Sequence, residues 1–373
     1  MRLEDFDYNL PRERIAQRPL AEREASRMLL LDRGREVWED RWFRDLPELL
    51  SGDELIVVNN VHVLPARLLG QREGIHAEPA GKRGQHEFLY SPIEVLLVRQ
   101  LEPNVWEALV RPGRKVRTGE RIRFGNGELE GEVIGRSDYG LRQLKFTAPA
   151  GFERAVEHLG HVPLPPYIKR ADEAADRERY QTIFARQGHA AAAPTAGLHF
   201  SEAILAKLRE RGAELCEITL EVGLGTFEPI RAARVEDHRM HSEAYEISET
   251  AASTIARARH DGRPILAVGT TVVRALEDAA LKSRADGTKD VPIILPGRAD
   301  AELFIYPGHR FRIVDQLLTN FHLPKSSLLL MVAAFAGREF ILRAYGHAVE
   351  QNYRFYSYGD CMLIRGSSQR RGN

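Results

Sequence analysis

Cysteine is scarce. Cys216 and Cys361 are the two present in 373 residues, too few for a disulfide framework or a zinc knuckle, and they fit a reducing compartment. A signal core is lacking as well, since the chain opens on the charged stretch Met1-Arg2-Leu3-Glu4-Asp5. Long hydrophobic runs are missing: the longest, Leu328 to Ala336, is far short of the roughly 20 residues that span a membrane. An excess of one charge is absent too, with 53 Lys and Arg against 53 Asp and Glu. That balance excludes nucleic-acid binding through overall charge and leaves only local basic faces. No repeat of solenoid period is evident. A soluble, cytoplasmic protein without a membrane partner is expected. Its length predicts two domains.

What is present alternates. Met28 to Asp32 and Glu54 to Asn59 read as apolar strands, and Leu46 to Leu50 as a brief helix. Between Leu64 and Phe146 the texture changes to short β-prone segments separated by turn residues, which predicts an antiparallel barrel or sandwich. Within it, Gly70 to Ser91 reads as a long loop. The boundary near Pro149-Ala150-Gly151 makes this unit an insertion over 64–149, flanked by an α/β domain over 1–63 and 150–373. Beyond it, Phe152 to Leu159 has helical spacing, and the prolines of His161 to Arg170 fix an extended path. Helices capped by Ser201, by Ser248 and by Ser326 or Ser327 alternate with strands at Leu215 to Val222 and Pro264 to Val268. Leu303 to Tyr306 and Arg312 to Leu318 read as further strands, and the tail from Arg365 as polar and irregular. Such alternation implies a mostly parallel, helix-covered sheet, with ligands beyond the carboxyl ends of its strands.

Several turns carry candidate chemistry. Pro194-Thr195-Ala196-Gly197-Leu198-His199-Phe200 follows an alanine run and holds one titratable group. His199 reads either as a general base or ligand-orienting group, or as a histidine satisfied within its turn. Glu221-Val-Gly223-Leu-Gly225-Thr226-Phe227 ends an alternating strand, and its glycines would let a ligand lie on the backbone. Gly269-Thr270-Thr271, with Arg274 a turn later, opens a helix whose N–H groups suit a carboxylate or phosphate, or serve ordinary capping. Asp237, His238 and His241 lie close together but lack a third metal ligand of convincing spacing, so no metal is expected. Asn320, Phe321 and His322 form one aromatic and polar cluster, and Tyr353, Tyr358 and Asp360 a second, suited to base recognition or to a core. Arg111, Arg114, Lys115, Arg117, Arg121 and Arg123 crowd one stretch of the β unit, as a phosphate-binding patch or a charged sheet edge.

The segments also form an ordered set. It runs through Asp5-Phe-Asp-Tyr-Asn-Leu-Pro11, Ile15-Ala-Gln17, Pro65-Ala-Arg67-Leu, Leu109-Val-Arg111-Pro-Gly-Arg114-Lys115, Pro163-Leu-Pro-Pro-Tyr167-Ile and Tyr180-Gln-Thr182. It continues with Ala192-Ala-Pro-Thr-Ala-Gly-Leu-His-Phe200, Val222-Gly-x-Gly-Thr-Phe227, Glu236-Asp-His-x-Met-His-Ser-Glu243, Gly269-Thr-Thr-x-x-Arg274, Thr319-Asn-Phe-His-Leu-Pro324 and Tyr353-Arg-Phe-x-Ser-Tyr-Gly-Asp360. Nearly end to end, the chain resembles the S-adenosylmethionine:tRNA ribosyltransferase-isomerases of queuosine biosynthesis. Two places depart from that pattern. The family usually has a histidine where Glu221 stands, and Asn-Asp-Thr/Ser-Arg/Lys where this chain has Asn59-Asn60-Val61-His62.

The resemblance implies an α/β domain carrying an inserted β-barrel. It implies transfer and isomerisation of the ribosyl part of S-adenosylmethionine onto 7-aminomethyl-7-deazaguanine at the tRNA wobble position, with adenine and methionine released. S-adenosylmethionine is then a consumed substrate, no cofactor is needed, and a monomer is expected. On this reading His199 is the first candidate base, and His238 or His241, beside Asp237, protonates adenine. Arg274 with Thr270 and Thr271 holds the methionine carboxylate, while Phe227, Phe321 and Tyr358 stack bases. Thr195, Gly197, Gly223, Gly225, Thr226, Gly269, Asn320, His322, Tyr353 and Asp360 complete the substrate set. Arg67, Arg111, Arg114 and Lys115 contact tRNA. Two rival readings are a catalytically silent tRNA-binding protein and a methyltransferase; the latter predicts a glycine-rich loop after an early strand, which Asn59-Asn60-Val61 is not.

Overall fold

Apolar runs between turn residues become the strands of a nine-stranded sheet, a closed barrel and a small two-stranded sheet. The computed structural model of the protein describes residues 1–74, 89–113, 116–137, 140–221, 223, 230, 232–240, 242–284 and 294–366. In chain order, β1 (Arg27–Asp32), β2 (Val37–Trp42), α1 (Leu46–Leu49), β3 (Leu55–Asn59) and β4 (Val61–Val63) come first. Then β5 (Arg67–Gly74), β6 (Leu89–Glu102), β7 (Val105–Arg111), β8 (Arg121–Phe124), β9 (Leu129–Arg136) and β10 (Arg142–Thr147) close into an antiparallel barrel. The chain continues through α2 (Phe152–Leu159), α3 (Ala174–Arg179), β11 (Gln187–Ala190), α4 (Glu202–Glu210), β12 (Glu214–Leu220) and β13 (Glu243–Ile247). It ends with α5 (Glu249–His260), β14 (Ile265–Val268), α6 (Thr270–Arg284), β15 (Gly297–Ala301), β16 (Gln316–Asn320), α7 (Ser327–Ala336), α8 (Arg338–Glu350) and β17 (Cys361–Arg365).

The main sheet has nine strands in the order β15-β13-β12-β3-β14-β16-β17-β1-β2. Its centre, β12-β3-β14-β16, is parallel. On one side β13 and β15 are antiparallel additions; on the other, β17 runs antiparallel to β16 and parallel to β1. The sheet is thus mixed, with the parallel strands in the middle. Helices cover both faces. Val57, Ile218 and Ala267 pack with Ile255, Leu276, Leu330 and Tyr345, while Ile56, Val58 and Leu266 pack with Leu46 and Leu205. Burial on both faces explains why Leu55 to Val58 is apolar at every position. The barrel has its own core, including Leu68, Val95, Trp106, Phe124 and Leu144. The hydroxyls of Ser201, Ser248 and Ser326 accept the N–H groups of Ile204, Ala251 and Leu329, as helix caps should.

Some expectations change. Between Gly70 and Ser91, β5 continues to Gly74 and β6 begins at Leu89, so both ends of the expected loop are strand; its middle lies outside the described residues, as do positions 367–373 of the tail. Leu303 to Tyr306 is not a strand. The Arg274 guanidinium takes the carbonyl of Leu303 at 2.9 Å, which a ladder would need, and that of Ala301, where β15 ends, at 2.6 Å. Nor does a strand begin at Arg312. The carboxylate of Glu277, which is fully buried, accepts the N–H groups of Arg312, Ile313 and Val314 at 2.8–3.0 Å, and pairing starts only at Gln316.

This carboxylate is a specific prop for the loop that feeds β16. Replacing Glu277 by Ala removes the acceptor of three N–H groups, each worth about 1–3 kcal/mol when left unpaired in the interior. A loss of unfolding free energy of about 3 kcal/mol or more is expected from urea denaturation. A loss below about 1 kcal/mol would show that water replaces the carboxylate.

Candidate functional site

The carboxyl ends of β14 and β16 meet in a small pocket. After Val268 the chain must turn sharply into α6. Gly269 makes that turn at φ +98°, and its N–H donates to Leu318 O at 2.8 Å. The first turn of α6 follows, with N–H groups that have no partner one turn earlier. Next to it, β16 ends in Thr319-Asn320 and the chain crosses as Phe321 to Leu323. The turn Thr195–His199 packs over this end, and the small residues Ala192, Ala193 and Ala196 allow its backbone to approach. Tyr356 and Ser357 close the pocket from the C-terminal segment, with Tyr167 beside them. The void is about 80 Å³. A narrow second cavity shares Thr270, Thr271 and Leu328 with this pocket. It shares Met240, Glu243 and Phe304 with a large cleft of about 1720 Å³. The cleft lies between the barrel, the extended run Pro163 to Asp172 and the β12-β13-β15 edge of the sheet. The three voids are neighbours through these shared lining residues.

Asn320 organises the inner wall. Its Nδ2 donates to the carbonyls of Tyr356 and Ser357 at 2.9 and 3.4 Å, and its Oδ1 faces His199 Nε2 at 3.3 Å. That orientation makes His199 the Nε2–H tautomer, so Nδ1 is left to accept from Ser26 Oγ at 2.9 Å. The imidazole is 3% exposed and packs on the Phe43 ring, centroids 5.3 Å apart. Tyr356 stands at φ +72°, a conformation side chains rarely adopt. Its ring lies 4.6 Å from that of Tyr167, whose hydroxyl bonds Ser357 Oγ at 2.6 Å.

Many of the residues singled out from sequence converge here. Thr195, Gly269, Thr270, Thr271, Asn320, Phe321 and His322 line the pocket, and Arg274 lines the narrow cavity. Gly197 sits behind Thr195, where a Cβ would lie 2.9 Å from Thr182 Cγ2. Gly223, His238, Arg67 and Arg111 line the cleft. Others are placed elsewhere. His199 is one layer behind the pocket. Asp237 is exposed at the end of the turn Val235–Asp237. The Tyr353 hydroxyl donates to Asp40 at 2.5 Å and that of Tyr358 to Asp176 at 2.7 Å. Asp360 accepts the backbone N–H groups of Arg27 and Arg354 at 2.9 and 2.7 Å. These last three fasten the C-terminal segment and line neither the pocket nor the cleft. The Arg274 guanidinium is engaged by Glu243 at 2.8 Å besides the two carbonyls already described. Gly225, Thr226, Phe227, His241, Arg114 and Lys115 lie outside the described residues. Sequence reasoning missed Tyr167, Thr319, Tyr356 and Ser357 as pocket residues. The proline run that aims Tyr167 was the available signal.

Residues 3–364 match the model of a family described as queuosine biosynthesis protein. The chain belongs to that family. Two curated relatives, the S-adenosylmethionine:tRNA ribosyltransferase-isomerases of Solibacter usitatus and Symbiobacterium thermophilum, are 50% and 49% identical to it. Each alignment covers 98% of this chain and 100% of the relative. Among solved structures, an S-adenosylmethionine tRNA ribosyltransferase from Thermotoga maritima is 33% identical, with a TM-score of 0.50, over 96% of this chain and 99% of that one.

In this family member the buried imidazoles are kept neutral. Desolvation pushes His322 down to about 3. It also pushes His199 down to about 4, an effect the Asn320 hydrogen bond partly opposes. Below pH 6.5 the unfolded chain therefore binds protons that the folded chain does not. The stability these rings provide is complete above that pH and is lost as pH falls toward 4. Between pH 7 and pH 5 the His199 ring alone is expected to remove on the order of 2 kcal/mol of unfolding free energy. The loss should be absent in His199→Gln, compared by urea denaturation at both pH values. Equal losses in the two proteins would refute the depressed pKa.

Proposed function

We propose that this chain transfers and isomerises the ribosyl group of S-adenosylmethionine onto 7-aminomethyl-7-deazaguanine at the tRNA wobble position. The products are epoxyqueuosine-tRNA, adenine and methionine. One observation carries the reading: in a chain that aligns end to end with relatives bearing that enzyme name, five distant segments converge at the carboxyl ends of the central parallel strands. The pocket they line shares Thr270, Thr271 and Leu328 with the narrow cavity, which in turn shares Met240, Glu243 and Phe304 with a cleft of about 1720 Å³. S-adenosylmethionine is consumed, and the chemistry calls for no cofactor. A monomer in the cytoplasm completes the reading.

The positive sulfur of the substrate acidifies the C5′ hydrogens. Removing one gives an ylide, whose rearrangement expels adenine; the aminomethyl nitrogen then attacks C1′, and epoxide formation expels methionine. The protein must therefore accept a proton, donate one to adenine and hold the methionine carboxylate. We assign proton transfer to His238, which lines the cleft, while His322, bonded to Thr319 Oγ1 at 2.9 Å and held neutral by burial, lines the pocket as a binding residue. The carboxylate goes to the first turn of α6 with Thr270 and Thr271, because Arg274 is already committed to Glu243. Tyr167 and Tyr356 offer the faces against which a base stacks, a contact worth about 1–3 kcal/mol per base. His199 acts through Asn320 and is a positioning residue.

Given S-adenosylmethionine and tRNA bearing the deazaguanine, the protein is expected to release adenine and methionine in equal amounts. S-adenosylhomocysteine would instead indicate methyl transfer, and binding without turnover a silent tRNA-binding protein. In the same assay His199→Gln, which can still donate to Asn320, is expected to stay within about tenfold of wild type. His199→Ala should lose about a hundredfold, as a displaced wall would cause. Equal losses would return a proton-moving role to His199.

A further inference from the structure

A void of about 500 Å³ lies beside the N-terminal segment, lined by residues other than those of the pocket and the cleft. Residues 13–20 form one side and Asn352 to Arg354 the other. The sides are clamped together, since Phe355 N donates to Arg14 O at 2.8 Å and Ala16 N donates to Phe355 O at 3.2 Å. The side chains of Arg14, Arg18 and Arg354 all border this space.

Arg18 is paired with Glu173 at 2.6 Å. The other two carry orphaned donors. Arg14 Nε and Arg354 Nη1 are buried and have no hydrogen-bond partner among the described residues. The neighbouring carboxylates do not serve them. Glu13 is exposed, and Asp360 spends its oxygens on backbone N–H groups. Burial accordingly lowers the pKa of Arg354, with only partial compensation from Asp360. Arg14, Arg18 and Arg354 thus bring three guanidinium groups to one depression, two of them with a donor that the described residues leave unpaired. Their planar forks suit an oxyanion.

The position narrows the choice. Gln17, on this void, accepts the N–H of Lys169 at 2.8 Å and donates to Tyr167 O at 3.1 Å; Arg170 Nε donates to Gln17 O at 2.9 Å. Lys169 and Arg170 line the cleft on their other side. A single extended segment thus separates the two spaces, and a polynucleotide leaving the cleft over Lys169 reaches the arginines. We propose that Arg14 and Arg354 bind a backbone phosphodiester of the tRNA, holding the strand outside the cleft that takes the wobble nucleotide. The proposal rests on the reading of the chain as a tRNA-modifying enzyme.

Binding of an unmodified anticodon stem-loop RNA, followed as a function of salt, tests it. Arg14→Gln and Arg354→Gln are each expected to weaken binding several-fold near 0.1 M salt. Each should also flatten the log K against log[salt] slope by about 0.7–0.9, the signature of one lost phosphate contact. Arg14→Lys should keep the slope. Arg257→Gln, on α5, serves as the control and is expected to bind as wild type does. Inorganic phosphate should compete with the RNA only weakly. Unchanged affinity and slope in Arg14→Gln would overturn the site, and that variant is decisive even if Arg354→Gln fails to fold. Inorganic phosphate that binds there and is not displaced by RNA would overturn it as well. A wild-type protein that neither binds nor modifies tRNA would instead overturn the functional reading itself.

Discussion

The amide of Asn320 is bound at both ends. It takes the His199 Nε2–H on its oxygen and gives its hydrogens to the carbonyls of Tyr356 and Ser357. Flipping it would set donor against donor and acceptor against acceptor, so its orientation is fixed. Much follows from that. The amide joins the end of β16 to the turn Thr195–His199 on one side and to the C-terminal segment on the other. It also holds Tyr356 at a positive φ, a strain that persists only when the surroundings over-determine the backbone. The two aromatic faces of the pocket are where they are because one side chain satisfies three elements at once.

The outer part of the site is held by charge rather than by amides. Arg274 and Glu243 pair at 2.8 Å where the narrow cavity meets the cleft, both nearly inaccessible. A pair so placed is costly to break, because either partner alone would be an uncompensated interior charge. It therefore fixes the wall between the spaces. Further out, Glu221 lines the cleft and pairs with Arg298 of β15 at 2.9 Å, with both side chains partly exposed. An exposed pair of that kind contributes little to stability and leaves the carboxylate free to rearrange. The departure from the family pattern at this position thus falls at a partly exposed ion pair on the cleft, and not in the pocket wall.

Features that depend on neighbours in sequence were legible from it. Buried strands such as Leu55–Asn59, serine caps, and the switch to β texture near residue 64 all rest on local periodicity or capping. Their convergence at the strand ends followed from α/β alternation. Roles that depend on distant partners were not legible. Tyr353 and Tyr358 looked like base-stacking residues, yet each hydroxyl is tied to a carboxylate 313 or 182 positions away. Leu303 to Tyr306 has strand composition, but Arg274 takes the Leu303 carbonyl that pairing would use. His199 stood out in its turn because it is the one titratable group there, and nothing local reveals Ser26 or Asn320. An ordered set of motifs marks positions, and it does not separate residues that touch a ligand from those that hold the first kind in place.

The interior is also arranged around the charge of its proposed substrate. A sulfonium ion entering a low-dielectric pocket would be repelled by any cation already there. Here burial depresses the pKa of both His199 and His322, which keeps them neutral, and the Arg274 guanidinium beside the narrow cavity is balanced by Glu243. What remains near the reaction are hydroxyls, carbonyls and the faces of Tyr167 and Tyr356, all of which tolerate or attract a cation.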